Sequence, residues 1–140
     1  MNDVPVILFA CIHNSGRSVA ARVLTEHYAA GRVEARSAGS DPTGSVNPSV
    51  AQVLGERGLS ADNERATLLD YDTVDAADVV ITMGCGETCP VFPGKRYADW
   101  QVDDPAGKDL DTVRRIVAVI DRRVQTLLAQ FDIQAGRPTE

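Results

Sequence analysis

Three cysteines and two histidines are few for 140 residues, and each scarcity removes a class of protein. An odd set of thiols behind an N-terminus with no basic segment, apolar core and small-residue cleavage site does not read as an exported disulfide scaffold. It points to reduced thiols in a cytoplasm. Structural zinc takes four N/S ligands in closely paired spacing. Only Cys11, Cys85, Cys89 and His13 together would supply four, without that spacing, so no metal is expected. No apolar stretch approaches the roughly 20 residues of a membrane span, and no membrane partner is expected. Positive charge is short as well: 14 Lys and Arg against 20 Asp and Glu give a net charge of −6. That argues against a nucleic-acid partner. An anionic substrate would have to be held by local dipoles and chosen cations, not drawn in by the overall field. Internal repeats and low-complexity stretches are absent.

What is present fits one soluble domain large enough for a real core, with 44% hydrophobic and 24% charged residues. The expected division is a single catalytic domain over residues 1–133 and a flexible tail over 134–140. Residues 4–10 read as a buried strand and 17–30 as a helix, with Val19, Ala20, Val23, Leu24, His27 and Tyr28 at core-facing spacing. A strand is predicted over 33–38 and a turn-rich stretch over 39–48. A second helix starts at Asn47-Pro48 and ends near Gly58, and a loop with at most one helical turn spans 60–69. Residues 78–82 read as another buried strand and 100–102 as a short last one. Leu110, Val113, Val117, Ile120, Val124, Leu127 and Phe131 mark a long amphipathic helix. Strands alternating with helices predict an α/β domain on a parallel sheet, with ligands at the carboxyl ends of the strands.

The most informative segment follows the first strand. Cys11-Ile12-His13-Asn14-Ser15-Gly16-Arg17-Ser18 places a cysteine, five residues, an arginine and a serine on a strand-to-helix turn. Backbone N–H groups entering a helix favour negative charge and can cradle a tetrahedral oxyanion. The same field, with Arg17 and Ser18 nearby, favours the thiolate of Cys11. Arg17 can grip two oxygens through its planar fork, and Gly16 is expected to take backbone angles closed to other residues. The plainer reading makes Cys11 a buried thiol and Arg17 a surface charge. An arginine at a helix N-terminus is unfavourable without an anion to offset it, which weakens that reading.

Two further segments can reach the same rim. Asp103-Asp104-Pro105 follows the tryptophan stretch; Asp104 can donate a proton to a departing oxygen, or the pair can be a surface turn with a helix cap. Asp109 and Asp111 are the better cap candidates. Cys85 and Cys89 flank a glycine-rich loop over 84–94 and can either close a disulfide with local bending or sit as small residues in a packed turn.

Taken together, CIHNSGRS at 11–18, RSAGS at 36–40, VNP at 46–48, VVITMGCGETCP at 79–90 and PGKRYADWQVDDPAG at 93–107 resemble the arsenate reductases built on the low-molecular-weight tyrosine phosphatase fold. The resemblance runs along almost the whole chain. It implies a three-layer sandwich around a four-stranded parallel sheet, with Cys11 as nucleophile, Arg17 as oxyanion clamp and residues 12–18 as the oxyanion-binding loop. It further implies that Ser18 stabilises the thiolate, Asn14 shapes the loop and Asp104 is the general acid. A second thiol would then attack Cys11 and release arsenite. In one branch of the family internal cysteines do this and thioredoxin restores them; in another, mycothiol takes the arsenic and a small redoxin follows. Cys85 and Cys89 match the first branch in kind but lie closer together than its pattern, and residues 83–100 read closer to the second. Gly16 stands where some relatives carry another cysteine. No tightly bound cofactor is implied, only an external thiol reductant.

Two rivals remain open at this stage. A phosphatase acting on phosphotyrosine or a small phosphoester would use the same loop and acid, although Ala106-Gly107 stand where phosphotyrosine-binding relatives carry aromatic residues. A non-catalytic arsenic sensor would use three thiols and need neither Arg17 nor Asp104.

Overall fold

The structure is a computed structural model that describes residues 4–14, 16–40, 46–61, 67–83 and 96–134, with side chains to residue 130. Eight elements follow one another: β1 (Val6–Cys11), α1 (Arg17–Ala29), β2 (Glu34–Gly39), α2 (Pro48–Glu56), α3 (Tyr71–Asp75), β3 (Val79–Thr82), β4 (Arg96–Asp99) and α4 (Leu110–Gln134). The strands form one parallel sheet in the order β2-β1-β3-β4. β1 lies in the interior, paired from Val6↔Glu34 to Cys11↔Gly39 on one side and from Ile7↔Val79 to Ala10↔Thr82 on the other.

The period-two alternation of β1 sorts its side chains between two cores. Ile7, Phe9 and Cys11 point into the larger one, with Leu24 of α1, Leu54 of α2 and Val117, Ile120 and Val124 of α4. Leu8 and Ala10 point into a smaller one with Leu69, Val80 and Val74 of α3. Three layers result, one of them thick and one thin. Both faces of β1 are buried, which is why its sequence is a continuous apolar run. Trp100 packs on Phe9 with ring centroids 5.7 Å apart.

Local chemistry sets the helix boundaries. Asn47 Oδ1 accepts from the N–H groups of Ser49 and Val50 at 2.8 and 3.3 Å, and Pro48 holds the first helical position of α2. Asp109 Oδ1 accepts from the Thr112 N–H at the start of α4, as expected of it. α3 was not anticipated. Its five residues are too few to display a period, and Asp70, which accepts from the Thr73 N–H at 2.9 Å and its hydroxyl at 2.7 Å, is the only local signal.

Three expectations need correction. The last strand is Arg96–Asp99, not 100–102: Trp100 follows it, tied by its N–H to the Thr82 carbonyl at 2.8 Å. The aromatic residue drew the reading to 100–102, yet its side chain serves the core from a loop. His27 is exposed, lying edge-on to Tyr28, while Thr25 takes the buried position on α1. α4 continues through Gln134, where the tail was expected to begin; residues 135–140 lie outside the described residues. No helix among the described residues is long and apolar enough to cross a membrane.

Candidate active site

Strand order places the site. From β1 the chain moves outward to β2, then returns to β3 on the opposite side of β1. The loop leaving the carboxyl end of β1 therefore opens at the switch point of the sheet, where α/β folds bind ligands. The Trp100 N–H bond to Thr82 and the Met83 N–H bond to Ala10, both 2.8 Å, bring the segments after β3 and β4 to the same edge.

Cys11 is the last residue of β1 and 2% exposed. Its Sγ lies 3.0 Å from Ser18 Oγ. Asn14 Nδ2 donates to that hydroxyl oxygen at 2.9 Å, while Asn14 Oδ1 accepts from the Thr67 N–H at 2.8 Å. The two bonds orient the Asn14 amide unambiguously. They also leave the Ser18 hydrogen free to point at the Cys11 sulfur. Asn14 and Ser18 are as buried as the cysteine, so this network is shielded from competing water.

The loop's left-handed backbone falls at Asn14, with φ 53°, while Gly16 has φ −134° and ψ −81°. Asn tolerates the left-handed region better than most residues. Gly39 explains how the turn fits: a Cβ there would lie 2.6 Å from the Ile12 carbonyl and 2.8 Å from the Asn14 nitrogen. That close approach of two backbones is what its glycine permits. Gly39 also bridges to Leu68, so the segment carrying Thr67 is pinned beside Asn14. Neither Gly39 nor Thr67 was identified as part of the site from sequence. The glycine at the end of a buried strand was the available signal for the first; the second meets the site through its backbone, its N–H on Asn14 and its carbonyl on the Gly39 N–H at 2.8 Å, and leaves no such signal.

α1 begins with no side-chain cap and no acidic residue in its first turn. Arg17 is its first residue and 7% exposed. A buried cation at the positive end of a helix is electrostatically unfavourable unless an anion joins it. Arg17 Nη1 donates to the Val102 carbonyl at 3.4 Å, and Nη2 lies 3.9 Å from Asp104 Oδ2. Asp104 is half exposed, and its other oxygen accepts from the Ala106 N–H at 3.0 Å. The Asp-Pro segment is thus a turn beside Arg17, and Asp109 caps the helix instead. Asp103 is exposed.

The structure thus brings Cys11, Asn14, Arg17, Ser18 and Asp104 together, with Ile12, His13 and Gly16 in the connecting turn. Ser15, Cys85 and Cys89 lie outside the described residues. A cleft of about 430 Å³ lined by Trp100, Arg122, Arg123 and Thr126 runs along α4, and no residue of the Cys11 loop lines it. Chemically, the arrangement offers a sulfur with a hydroxyl donor, a buried guanidinium and a carboxyl group nearby. Such a set suits thiolate attack on a tetrahedral oxyanion.

The fold defines a class, α/β domains with a parallel four-stranded sheet and a cysteine-bearing strand-to-helix turn at its carboxyl edge. Within that class the chain belongs to the low molecular weight phosphotyrosine protein phosphatase family, whose model matches residues 6–136. Its relatives carry arsenate reductase names. It is 30% identical over 129 residues to arsenate reductase 1 of Bacillus cereus, covering 89% of this chain and 95% of that protein. It is 28% identical over 128 residues to the glutaredoxin arsenate reductase of a Synechocystis species, covering 89% and 97%. Among solved structures, the thioredoxin-dependent arsenate reductase of Corynebacterium glutamicum superposes with a TM-score of 0.84 at 41% identity, covering 95% of this chain. This chain spans 64% of that one. The tyrosine phosphatase AmsI of Erwinia amylovora superposes with a TM-score of 0.82 at 22% identity, over 91% and 93% of the two chains; it shares the fold.

Proposed function

We propose that this chain is a cytoplasmic arsenate reductase acting in arsenic detoxification, with residues 1–133 as its catalytic domain. The observation that carries the chemistry is the Cys11 sulfur 3.0 Å from Ser18, on a loop whose buried Arg17 lies beside Asp104. The relatives' names favour arsenate over a phosphoester, and the cysteine pair is unneeded for hydrolysis. In the first step the Cys11 thiolate attacks arsenic(V) and a sulfur–arsenic bond forms. The arsenic–oxygen bond breaks, and the departing oxygen takes its proton from Asp104. Arg17 and the backbone N–H groups of residues 12–18 hold the remaining oxygens as charge redistributes.

In the second step another thiol attacks the Cys11 sulfur. The sulfur–arsenic electron pair stays on arsenic, which leaves as arsenite two electrons richer, and two thiols become one disulfide. Cys85 or Cys89 supplies that thiol in a thioredoxin-coupled reaction. If neither does, mycothiol takes the arsenic and a small redoxin completes the cycle. The deciding experiment uses fully reduced protein, excess arsenate and no added thiol, counting arsenite released and thiols lost. One arsenite per chain with two thiols lost means an internal relay and a thioredoxin-type reductant. None, followed by turnover once mycothiol and redoxin are added, means the external route. Sustained hydrolysis of a phosphotyrosine peptide, with no arsenite under any thiol supply, would overturn the proposal.

A further inference from the structure

Pro105 is buried although Asp103, Asp104, Ala106 and Gly107 around it are all exposed. Its ring seats directly over Gly16: a Cβ on residue 16 would lie 2.9 Å from Pro105 Cγ and 3.6 Å from both Pro105 Cδ and Val50 Cγ2. Real Cβ atoms do not come that close to a ring carbon, so a side chain at 16 must displace the proline. Room beneath that ring is what glycine supplies here. The proline is the residue next to Asp104, and its ring limits how that backbone can turn.

We propose that Gly16 and Pro105 form a seat that positions Asp104 over the oxyanion loop, making both of them positioning residues for proton transfer. Among the described residues, the other ties near the acid are the 3.9 Å approach to Arg17, the Arg17 bond to the Val102 carbonyl at 3.4 Å and the turn bonds of the Ala106 and Lys108 N–H groups at 3.0 and 3.1 Å. The two ties to Arg17 are long, and the turn bonds are local, so the buried ring is the firm link between acid segment and oxyanion loop. Any methyl group at 16 wedges the two apart. Removing the ring with Pro105→Ala, by contrast, leaves the loop's own residues unaltered. Oxyanion binding should survive while proton delivery fails.

The inference rests on the reading of Asp104 as the acid, and the experiment separates the two. The variants are Gly16→Ala, Pro105→Ala, their combination and Asp104→Asn. For each, kcat is measured for arsenite formation and for aryl phosphate hydrolysis, beside the inhibition constant of inorganic phosphate. Gly16→Ala should lower kcat at least about tenfold, a part of what a general acid contributes. Pro105→Ala adds no atom and should lower kcat several-fold by itself, with phosphate affinity kept. In the double variant Gly16→Ala should cost little more, since the two changes act through one contact. Wild-type kcat in Pro105→Ala, equal losses of kcat and phosphate affinity in Pro105→Ala, or additive effects on kcat in the double variant would each overturn the seat. This holds even if Gly16→Ala fails to fold, because Pro105→Ala decides alone. Wild-type kcat in Asp104→Asn overturns the acid reading and the seat with it. A loss in Asp104→Asn with none in the other variants overturns the seat only. A wild-type protein that forms no arsenite removes the function proposal and leaves the aryl phosphate rates to decide; inertness toward both overturns both.

Discussion

The two loops that meet at the carboxyl edge of the sheet are held by different physics. The Cys11 loop is braced by buried polar bonds: Ser18 on the sulfur, Asn14 on Ser18, Thr67 on Asn14, and Gly39 packed against the backbone of the turn. The Asp104 segment is exposed apart from one proline and reaches Arg17 across 3.9 Å. Groups that bind charge gain most from being fixed in advance in a low-dielectric place. A proton donor must meet solvent to be recharged, and it works from a short arm that needs aim more than burial. In the proposed mechanism, the difference separates rigid binding from adjustable proton delivery.

The comparison can be broken at either end. Cys11→Ser should remove arsenite formation entirely while an inhibition assay still detects phosphate binding, since the cradle does not depend on the sulfur. Asp104→Asn should lower kcat by about a hundredfold or more with little change in phosphate affinity; equal losses of both would mean that the acid segment is part of the cradle. Ser18→Ala should lower the rate about tenfold, the scale of one hydrogen bond to a charged group, with phosphate affinity nearly unchanged. An equal loss of phosphate affinity would assign Ser18 to loop architecture instead.

Two smaller effects probe the scaffold and should leave the chemistry alone. Asn47→Ala removes the cap of α2 and should cost about 1 kcal/mol, read as a fall of about 3 °C in melting temperature. Asp121 is buried on α4 and bonded to Arg57, Gln125 and Tyr28. Burial pushes its carboxyl up, but bonds from Gln125, Tyr28 and Arg57 outweigh it and hold it below the ordinary carboxylate value. A group lowered in the folded state stabilises above its unfolded value, and the benefit fades as pH falls through the folded one. Asp121→Asn should therefore melt lower than wild type at neutral pH. The gap should close as pH falls below the ordinary value of about 3.9, with catalysis at neutral pH unaffected at temperatures below melting.

Much of the site was legible because its chemistry is local. Cys11, Asn14, Arg17 and Ser18 lie within eight residues, and a buried strand followed by a helix fixes how such a run must turn. Asp104 was readable as an acid or as part of a capped surface turn; the structure gives the cap to Asp109 and sets Asp104 in a turn beside Arg17. Thr67 and Gly39 stand 53 and 25 residues from Asn14 and act through backbone, so no side-chain pattern marks their part. The exposed His27 and the displaced last strand show the same limit: helical or aromatic spacing says which residues are able to be buried, and the packing partners decide which are.

By itself the sequence determined the alternation of strands and helices, the apolar run that must be buried on both faces, and the order cysteine, loop, arginine, serine at a helix start. These follow from periodicity, burial and the field of a helix end, all properties of neighbouring residues. Only the tertiary structure decided that β1 sits inside the sheet, that Gly39 and Thr67 brace the Cys11 loop, and that Pro105 rests on the bare backbone of Gly16. Those contacts join segments far apart in the chain, and their geometry is set by how whole layers pack, which no local pattern encodes.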